Sequence, residues 1–476
     1  MAAKNYRLNW RNLLSTQRVR ALFGGPKSRK VQGDLRTEFE RDYGRTVYST
    51  PFRRLRDKAQ VFPLEPNDHV RTRLLHSLEV SSVAEDLAAQ AVRDIIASDA
   101  KSLTDDNLRS IPLIAATCGL IHDIGNPPFG HAGELAISSW FKSRFSANNT
   151  FIASLGGEGS QMVQDFFNFE GNAQGIRSVS NVHLLGDDYG LNFTAGTLAA
   201  ACKYIAPAND LVKENVHERS KPGYFTSETE IVTRVRTLTG TPDCRHPITY
   251  LVEAADDIVY CSVDLEDGIR RGVLDWHDVE LSLLKQSAKA DIVKKVLQQA
   301  RDHVRPARLS GKAKYDELAQ AFRIAAISQM VIAARRTFQK RYADIMNGEY
   351  HGELIMDPLC GAKPMIDACK HVLKNDLYRH KDILRLEVRG RRVIHELLDL
   401  FWEGVSSHER GKGLTTKSYG GKLFLLFSEN YRRLFEKRLR DRKENHLYCR
   451  FQLLTDQISG MTETYACRLH KDLTNT

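Results

Sequence analysis

Two histidines and two carboxylates lie within a span of thirteen residues in the stretch LIAATCGLIHDIGNPPFGHAGELAISSWF, residues 113–141. His122 and Asp123 form the first pair, and His131 and Glu134 form the second. Imidazole nitrogens and carboxylate oxygens bind divalent cations, and a histidine held by a carboxylate can transfer protons. The stretch is therefore a candidate for metal or acid–base chemistry.

The residues between the two pairs predict how they are held. An apolar run of helical length ends at Gly125, and the pair Pro127-Pro128 cannot continue that helix. A second helix begins near His131. The sequence therefore predicts a proline corner, with the first pair at one helix end and the second pair at the start of the next helix.

Two further segments carry polar residues at helical spacing. In RTRLLHSLEV, Arg73 lies one helical turn before His76. In VEAADDIVYCSVDLED, Asp256, Tyr260 and Asp264 recur every four residues along one helix face. Together with the first pair of the corner, two histidines and two aspartates on three helices would supply four ligands for one divalent ion.

The elements around these residues are predicted to be helical throughout, because no alternation is long enough for a sheet. We therefore predict an all-α fold. The predicted helices include 50–58, 71–96, 228–238 and 248–271, followed by long charged windows at 279–303, 315–347, 382–405 and 423–442. In the helix at 71–96, the predicted buried stripe comprises Leu75, Leu78, Val83, Leu87, Ala91 and Ile95.

Composition limits the class of protein. The 476 residues carry a formal net charge of +10, which favours an anionic ligand or partner. The basic clusters are interpreted as solvated helix faces rather than a nucleic-acid track, because few aromatic residues are interleaved with them. The eight cysteines lack CxxC spacing and are predicted to be reduced and buried. Since no signal peptide or stretch of eighteen apolar residues occurs, we expect a cytoplasmic protein without a membrane partner.

The chain resembles the deoxyguanosine triphosphate triphosphohydrolases, the dGTPase branch of the HD-domain metal-dependent phosphohydrolases. The resemblance rests on the order H…HD…D and on RTRLLHSLEV, HDIGNPPFGHAGE, FEGNAQGIR, KPGYF, AADDIVYCSVDLED and QISGMTETYA, which reach from about Arg53 to Ala466. It implies a basic N-terminal arm at 1–49 and an all-α HD-domain catalytic core at 50–272. The additional C-terminal helices at 273–476 would complete the pocket and an oligomer interface.

The resemblance also implies roles for the residues of the corner and its neighbours. One divalent ion, Mg or Mn before other transition metals, would be bound by His76, His122, Asp123 and Asp256. Asp257 is the alternative to Asp256, which is preferred because it precedes Tyr260 by four residues. His131 and Glu134 would be the catalytic pair, with His131 either protonating the departing 5′-oxygen or assisting the attacking water.

The substrate would be held by a further set of residues that the resemblance implies. Those offsetting the triphosphate charge would be Arg73, Lys203 and Lys221, with Tyr204 next to Lys203. Those around the sugar would be Gln60, Val61, Tyr260 and Asp264. Two positions depart from many relatives, because Asn126 and Gly171 stand where other triphosphohydrolases carry histidine.

The activity implied is hydrolysis of dGTP to deoxyguanosine and tripolyphosphate. A broader dNTP or nucleotide phosphohydrolase is the nearest alternative, and a nucleic-acid-binding protein on an HD scaffold is the alternative of another class. Because the family is usually oligomeric and often hexameric, a homo-oligomer is expected. The basic segments are candidate sites for single-stranded DNA or an allosteric nucleotide.

Overall fold

A computed structural model describes residues 7–26, 32–64, 71–182, 189–212, 214, 216–288, 290–307, 309–408, 416–441 and 445–475. The all-α prediction is confirmed. Within these residues, β-structure is limited to isolated bridges and one parallel pair of short strands, β1 (Ala206–Pro207) and β2 (Pro222–Tyr224).

The α-helices follow in chain order: α1 (Trp10–Leu13), α2 (Val19–Leu22), α3 (Glu38–Val47), α4 (Thr50–Arg54), α5 (Arg73–Ala91), α6 (Ala97–Asp99), α7 (Asp105–Ile121), α8 (Gly130–Ala147), α9 (Asn149–Ser154), α10 (Gln161–Phe167), α11 (Gly171–Arg177), α12 (Ala195–Ala201), α13 (Thr229–Thr239), α14 (Pro247–Arg270), α15 (Trp276–Gln286), α16 (Asp291–Val304), α17 (Gly311–Met346), α18 (Lys363–Val372), α19 (Lys381–Ser406), α20 (Tyr419–Leu425), α21 (Glu429–Arg440), α22 (His446–Ser459) and α23 (Glu463–Thr474). Short 3-10 segments occur at Leu55–Asp57, His217–Arg219, Thr226–Glu228 and Arg305–Ala307. Single π-helical turns occur at Val92–Ile96, Ser178–Val182 and Leu373–Leu377.

The predicted proline corner joins α7 to α8. Phe129 precedes α8 with a left-handed φ of 66°, which turns the chain into the new helix. A Cβ atom on Gly133 would lie 2.1 Å from the carbonyl oxygen of Pro128, so only glycine fits against the corner there. The first turn of α8 therefore packs directly against the two prolines of the corner.

The apolar stripe predicted for 71–96 is partly wrong. Leu87 and Ala91 are buried as predicted, whereas Leu75 and Leu78 are 45% and 44% exposed. Helix α5 packs against α7 and α14 through the face that carries His76. Because this polar face is buried, the leucines beside it turn outward, which an assignment by hydrophobicity alone misses.

Two of the predicted long helical windows are each divided by a turn. The window at 279–303 contains α15 and α16, which are separated where Ala288 adopts a positive φ of 47°. The window at 423–442 contains the end of α20 and all of α21, which are separated by residues 426–428. In both windows the charged pattern continues across the break, so the pattern alone does not reveal it.

Buried apolar residues form three clusters, and the two largest flank the corner. The first surrounds α5, α7, α14 and α17, and it includes Trp10 and Phe39 from the N-terminal segment. The second joins α8 to the C-terminal helices α19 and α22 through contacts such as that between Phe141 and Phe451. Helices from both ends of the chain therefore pack around the stretch 113–141. The division at residues 49 and 272 stays a prediction.

The cysteines are all free, and seven of the eight are buried, with Cys467 partly exposed. Burial raises the pKa of the Cys118 and Cys369 thiols, which keeps them protonated. Among the described residues, no helix has the length and apolar composition needed to cross a membrane.

Candidate active site

Helices α5 and α14 and the C-terminal end of α7 bring the four predicted metal ligands together. His76 Nε2 lies 3.2 Å from Asp256 Oδ1, and His122 Nε2 lies 3.6 Å from the same oxygen. His122 Nε2 is also 3.6 Å from Asp123 Oδ2. The two imidazole rings meet edge to face, with centroids 5.2 Å apart. Residues separated by up to 180 positions in the chain thus form one compact cluster of acceptors.

The hydrogen bonding of His122 fixes the orientation of its free nitrogen. Its Nδ1 lies 2.7 Å from the carbonyl oxygen of Gly119 and donates its proton there. In the neutral ring, Nε2 then carries a lone pair, and this buried atom has no hydrogen-bond partner among the described residues. That lone pair faces the oxygens of Asp123 and Asp256. Acceptors that converge in this way fit a bound cation, and the donor set suits a divalent transition metal.

Asp123 accepts hydrogen bonds from two side-chain donors. Arg73 donates to Asp123 Oδ2 at 2.6 Å, and the Asn126 amide donates to Oδ1 at 2.5 Å. Burial alone would raise the pKa of Asp123. The charges of Arg73 and of the neighbouring histidines have the larger, opposite effect and lower the pKa to about 2. The carboxylate is therefore ionised and fixed in orientation.

Asp256 and Asp257 face different partners. Asp256 points towards the two histidines, and Lys203 Nζ lies 3.7 Å from its Oδ2. Asp257 lies 3.2 Å from Lys370 Nζ, and burial raises its pKa to about 6 despite that lysine. The geometry therefore favours Asp256 as the ligand, in line with the prediction from its spacing to Tyr260.

The second pair of the corner forms a separate acid–base unit. His131 Nδ1 lies 2.9 Å from Glu134 Oε2, and Glu134 Oε1 accepts the Gly171 N–H at 2.7 Å. The hydrogen bond to Glu134 raises the pKa of His131, with burial and Lys221 opposing it. The His131 side chain is 73% exposed, so the imidazole is supported on one side and open on the other. Such a histidine is suited to donate a proton to a bound molecule.

The departures at Asn126 and Gly171 are coupled through space. A Cβ atom at position 171 would lie 2.1 Å from Asn126 Oδ1 and 2.7 Å from Glu134 Oε1. No side chain fits at position 171 while Asn126 and Glu134 keep their hydrogen bonds. At these two positions the structure has an amide that holds Asp123 and a backbone N–H that holds Glu134.

A cavity of about 540 Å³ connects the cluster of predicted metal ligands, here called the metal cluster, with the His131 pair. Its wall carries three cationic side chains, those of Arg73, Lys203 and Lys221. Lys221 Nζ lies 3.0 Å from Glu170 Oε2. The Arg73 Nε is buried and has no hydrogen-bond partner among the described residues, so it is an available donor. A cavity of this size and charge suits an anionic small molecule.

The residues predicted to hold the sugar are only partly at this cavity. Tyr260 lines it, whereas Gln60, Val61, Asp264 and also Tyr204 do not belong to its lining. Tyr204 lies beneath the two lysines, with ammonium groups 6.0 and 5.9 Å from its ring centre.

Asp264 is buried behind the cavity wall. Its Oδ2 accepts the Tyr378 hydroxyl at 2.8 Å, and its Oδ1 has no hydrogen-bond partner among the described residues. Burial raises the pKa of Asp264 to about 7, with Tyr378 opposing the change.

Sequence reasoning missed Glu170 and Tyr378. Glu170 lies within the motif FEGNAQGIR, so its place next to Gly171 was the available signal. Tyr378 lies in the C-terminal half, 114 residues from Asp264, and no local pattern connects the two.

A second group of potential ligands adjoins the cavity but is already neutralised. It consists of His217, Glu253 and Glu353. Glu253 Oε2 accepts from Arg245 at 2.7 Å, and Glu253 Oε1 lies 2.9 Å from His217 Nε2. Because His217 directs its two ring nitrogens at different glutamates, the group is an ion-pair network rather than a chelating site.

Comparison with known proteins finds relatives that align over nearly the whole chain. No family model matches the chain. A deoxyguanosinetriphosphate triphosphohydrolase-like protein of Listeria monocytogenes serovar 1/2a is 34% identical over 473 residues, covering 98% of this chain and 99% of the relative. A like-named protein of Synechocystis sp. is 33% identical over 485 residues, covering 98% and 99%. The deoxyguanosinetriphosphate triphosphohydrolase of Klebsiella pneumoniae subsp. pneumoniae is 31% identical over 508 residues, covering 97% of each chain.

The names of these relatives identify the chain as a hydrolase. The near full-length similarity is more particular: the chain belongs to the deoxyguanosine triphosphate triphosphohydrolase family.

Proposed function

We propose that the protein is a metal-dependent HD-domain hydrolase that converts dGTP to deoxyguanosine and tripolyphosphate. One observation carries the proposal. Ligand atoms of His76, His122 and Asp123 lie within 4.8 Å of one another, Asp256 Oδ1 lies 3.2 and 3.6 Å from the two imidazole nitrogens at that point, and the His131 pair faces the same cationic cavity. Guanine as the preferred base is supported by the names of the relatives.

The four side chains at that point would hold one divalent ion, with Mn or Mg expected first. Bound there, the ion would polarise the α-phosphate and lower the pKa of a water molecule. His122 donates its other ring N–H to the Gly119 carbonyl, which orients its Nε2 for coordination.

The cavity wall would bind the triphosphate. Arg73 is fixed by Asp123, and its Nε remains a buried donor for a phosphate oxygen. Lys203 and Lys221 add two ammonium charges from neighbouring segments, since both lie close to the Tyr204 ring. This arrangement compensates charge on an extended anion better than on a single phosphate.

His131 would act as the general acid. Water attacks the α-phosphorus, a new oxygen–phosphorus bond forms, and the bond from phosphorus to the 5′-oxygen breaks. His131 donates its proton to that departing oxygen, while Glu134 keeps the imidazole protonated and oriented. The products are then the free nucleoside and an intact tripolyphosphate.

The sugar would be recognised by Tyr260, Asp264, Gln60 and Val61. Two observations support this part of the proposal. Gln60 Oε1 and Asp264 Oδ1, which lie outside the cavity lining, are buried acceptors with no hydrogen-bond partner among the described residues, so a hydroxyl donor that reached them would satisfy them. Tyr260 carries its ring into the wall of the cavity, where a bulky group would exclude a 2′-hydroxyl.

The test is product analysis with purified protein, Mn²⁺ and separate dNTPs, rNTPs and nucleoside monophosphates. We expect deoxyguanosine and tripolyphosphate from dGTP, and at least about 100-fold less turnover by His131→Ala. Equal turnover of all dNTPs would replace dGTP specificity with the broader activity. Formation of dGMP and pyrophosphate, or no turnover of any nucleotide, would contradict the proposal.

Three wider properties stay predictions from the family resemblance. These are assembly into a homo-oligomer, regulation by single-stranded DNA or a nucleotide, and a cytoplasmic location. The nucleic-acid-binding alternative predicts that deleting the basic residues of the N-terminal arm abolishes function while His131→Ala does not. Comparison of those two variants separates it from the hydrolase.

A further inference from the structure

The carboxylate of Glu463 reaches the proline corner from the far end of the chain. Its Oε1 accepts the backbone N–H of Phe129 at 3.0 Å, and the N–H of Ala59 lies 3.3 Å from the same oxygen. Glu463 is 1% exposed and is the first residue of α23. It lies 334 residues from Phe129 in the chain. A buried carboxylate in this position satisfies a backbone donor of a residue that has a positive φ.

Lys58 reaches the other end of the corner. Its ammonium group donates to the carbonyl oxygen of Asn126 at 2.5 Å and to that of Ser459 at 2.7 Å. The Lys58 side chain is 2% exposed, so these two bonds are shielded from water. Ser459 ends α22 and Glu463 begins α23, so the turn between these helices contacts both ends of the corner.

The corner lies between the two functional pairs. Asn126, whose carbonyl accepts from Lys58, also holds Asp123 through its side-chain amide. Phe129, whose N–H is held by Glu463, immediately precedes the helix that carries His131. A shift of either end would therefore change the distance between the Asp123 carboxylate and the His131 imidazole.

We propose that Lys58 and Glu463 are positioning residues, which fix the proline corner and hence the separation of the metal cluster from the acid–base pair. The inference rests on the proposed function for its effect on turnover. The hydrogen bonds that Lys58 and Glu463 make to backbone groups of the corner, here called the clamp, can be measured without any substrate. Neither residue contacts the reacting atoms.

Two conservative variants separate hydrogen bonding from charge. Glu463→Gln keeps an oxygen within hydrogen-bonding distance of the Phe129 N–H and removes the negative charge. Glu463→Asp keeps the negative charge but has a shorter side chain. We expect kcat for dGTP to fall at least about 10-fold in Glu463→Asp and to stay within about threefold in Glu463→Gln, since misplacement of about 1 Å is costly. KM and bound Mn should change less than kcat in both. Asp472→Asn, an exposed position on the same helix, is the matched control.

Amide hydrogen exchange of the full-length protein provides the readout that needs no activity. The Phe129 N–H should exchange at least about 10-fold faster in Glu463→Asp than in wild type, and near the wild-type rate in Glu463→Gln. Lys58→Met should speed exchange across 124–130 and reduce kcat in parallel. An inactive wild type with this exchange pattern would reject the proposed function and retain the clamp.

Three results would overturn the positioning role. One is unchanged kcat in Glu463→Asp despite faster exchange, and another is a loss in Glu463→Gln as large as in Glu463→Asp. The third is equal exchange at Phe129 in all variants. Should Glu463→Asp fail to fold, Lys58→Met and Glu463→Gln carry the same comparison of exchange and kcat.

Discussion

At the level of single residues, adjacent side chains have different tasks because their partners differ. His122 gives its Nδ1 proton to Gly119 and presents a lone pair, whereas Asp123 is held by Arg73 and Asn126. The same divergence separates Asp256 from Asp257. Helical spacing identified these residues from the sequence, but the orientation of Asp123 and Asp257 also depends on Arg73 and Lys370, which are more than 40 positions away and which spacing does not report.

The divergence of the two aspartates can be tested directly. Asp256→Asn should lose most of the bound Mn and at least about 100-fold in kcat, because it removes a ligand and its charge. Asp257→Asn should retain the metal, since Asp257 contacts Lys370 instead. Metal content by mass spectrometry and turnover should be measured on both variants. Retention of metal by Asp256→Asn together with its loss in Asp257→Asn would reverse the assignment.

The acid role of His131 predicts a specific pH dependence. Glu134 raises the pKa of His131 above its usual value near 6.5, so the protonated form persists to higher pH. Activity should therefore be present below that pKa and lost as pH rises through it. Glu134→Gln should move this descending limb to lower pH and reduce kcat about 10- to 100-fold.

The pH profile is measured from kcat at saturating Mn²⁺ and dGTP, with the exposed His303→Gln as the control. An ascending limb that disappears in His131→Ala would assign His131 to assisting the attacking water instead.

At the level of elements, prolines and helical periodicity predicted the corner and the helices around it. The interior of α5 was predicted less well, because Leu75 and Leu78 are exposed while His76 is buried. A stripe of apolar residues indicates the buried face of a helix only where that face is apolar. In α5 the buried face carries the polar residues of the candidate site. Local sequence patterns also did not predict the contact of α19 with the corner, because it joins two residues far apart in the chain, Gly390 and Phe129.

That contact predicts an unusual response to a helix-stabilising substitution. A Cβ atom at position 390 would lie 2.5 Å from Phe129 Cγ, so Gly390→Ala should destabilise the fold by about 1–3 kcal/mol. Gly44 lies within α3 and has nothing within 4 Å of its Cβ position, so Gly44→Ala should stabilise by up to about 1 kcal/mol. Denaturant unfolding of both variants measures the difference. Equal effects would show that α19 does not press on the corner.

At the level of the whole molecule, the active site depends on parts of the chain that are far apart in sequence. The apolar cluster around α8 includes the C-terminal helices, and Glu463 contacts Phe129 across 334 positions. The sequence predicted a C-terminal region that completes the pocket only through the family resemblance. That completion of the pocket stays a prediction. The hydrogen bonds of Lys58 and Glu463 to the corner could not be predicted from the sequence, because each joins distant segments.

Metal binding should stabilise the molecule globally. Without a cation, the buried Asp123 and Asp256 carboxylates lie near one another, and a bound ion relieves that repulsion. Stability should rise by about 2.7 kcal/mol at a Mn²⁺ concentration 100 times the dissociation constant. Thermal unfolding after chelation and with added Mn²⁺ measures this, with Asp256→Asn as the unresponsive control. A melting temperature independent of Mn²⁺ in the wild type would argue against a metal at this cluster.

The central claim is that water attacks the α-phosphorus of dGTP and releases the whole tripolyphosphate. Hydrolysis in ¹⁸O-labelled water, followed by mass spectrometry of both products, tests it most directly. We predict one ¹⁸O atom in tripolyphosphate and none in deoxyguanosine, with the label absent when His131→Ala is used at the same time point. Label in the 5′-oxygen of deoxyguanosine, or labelled pyrophosphate or dGMP, would contradict the account.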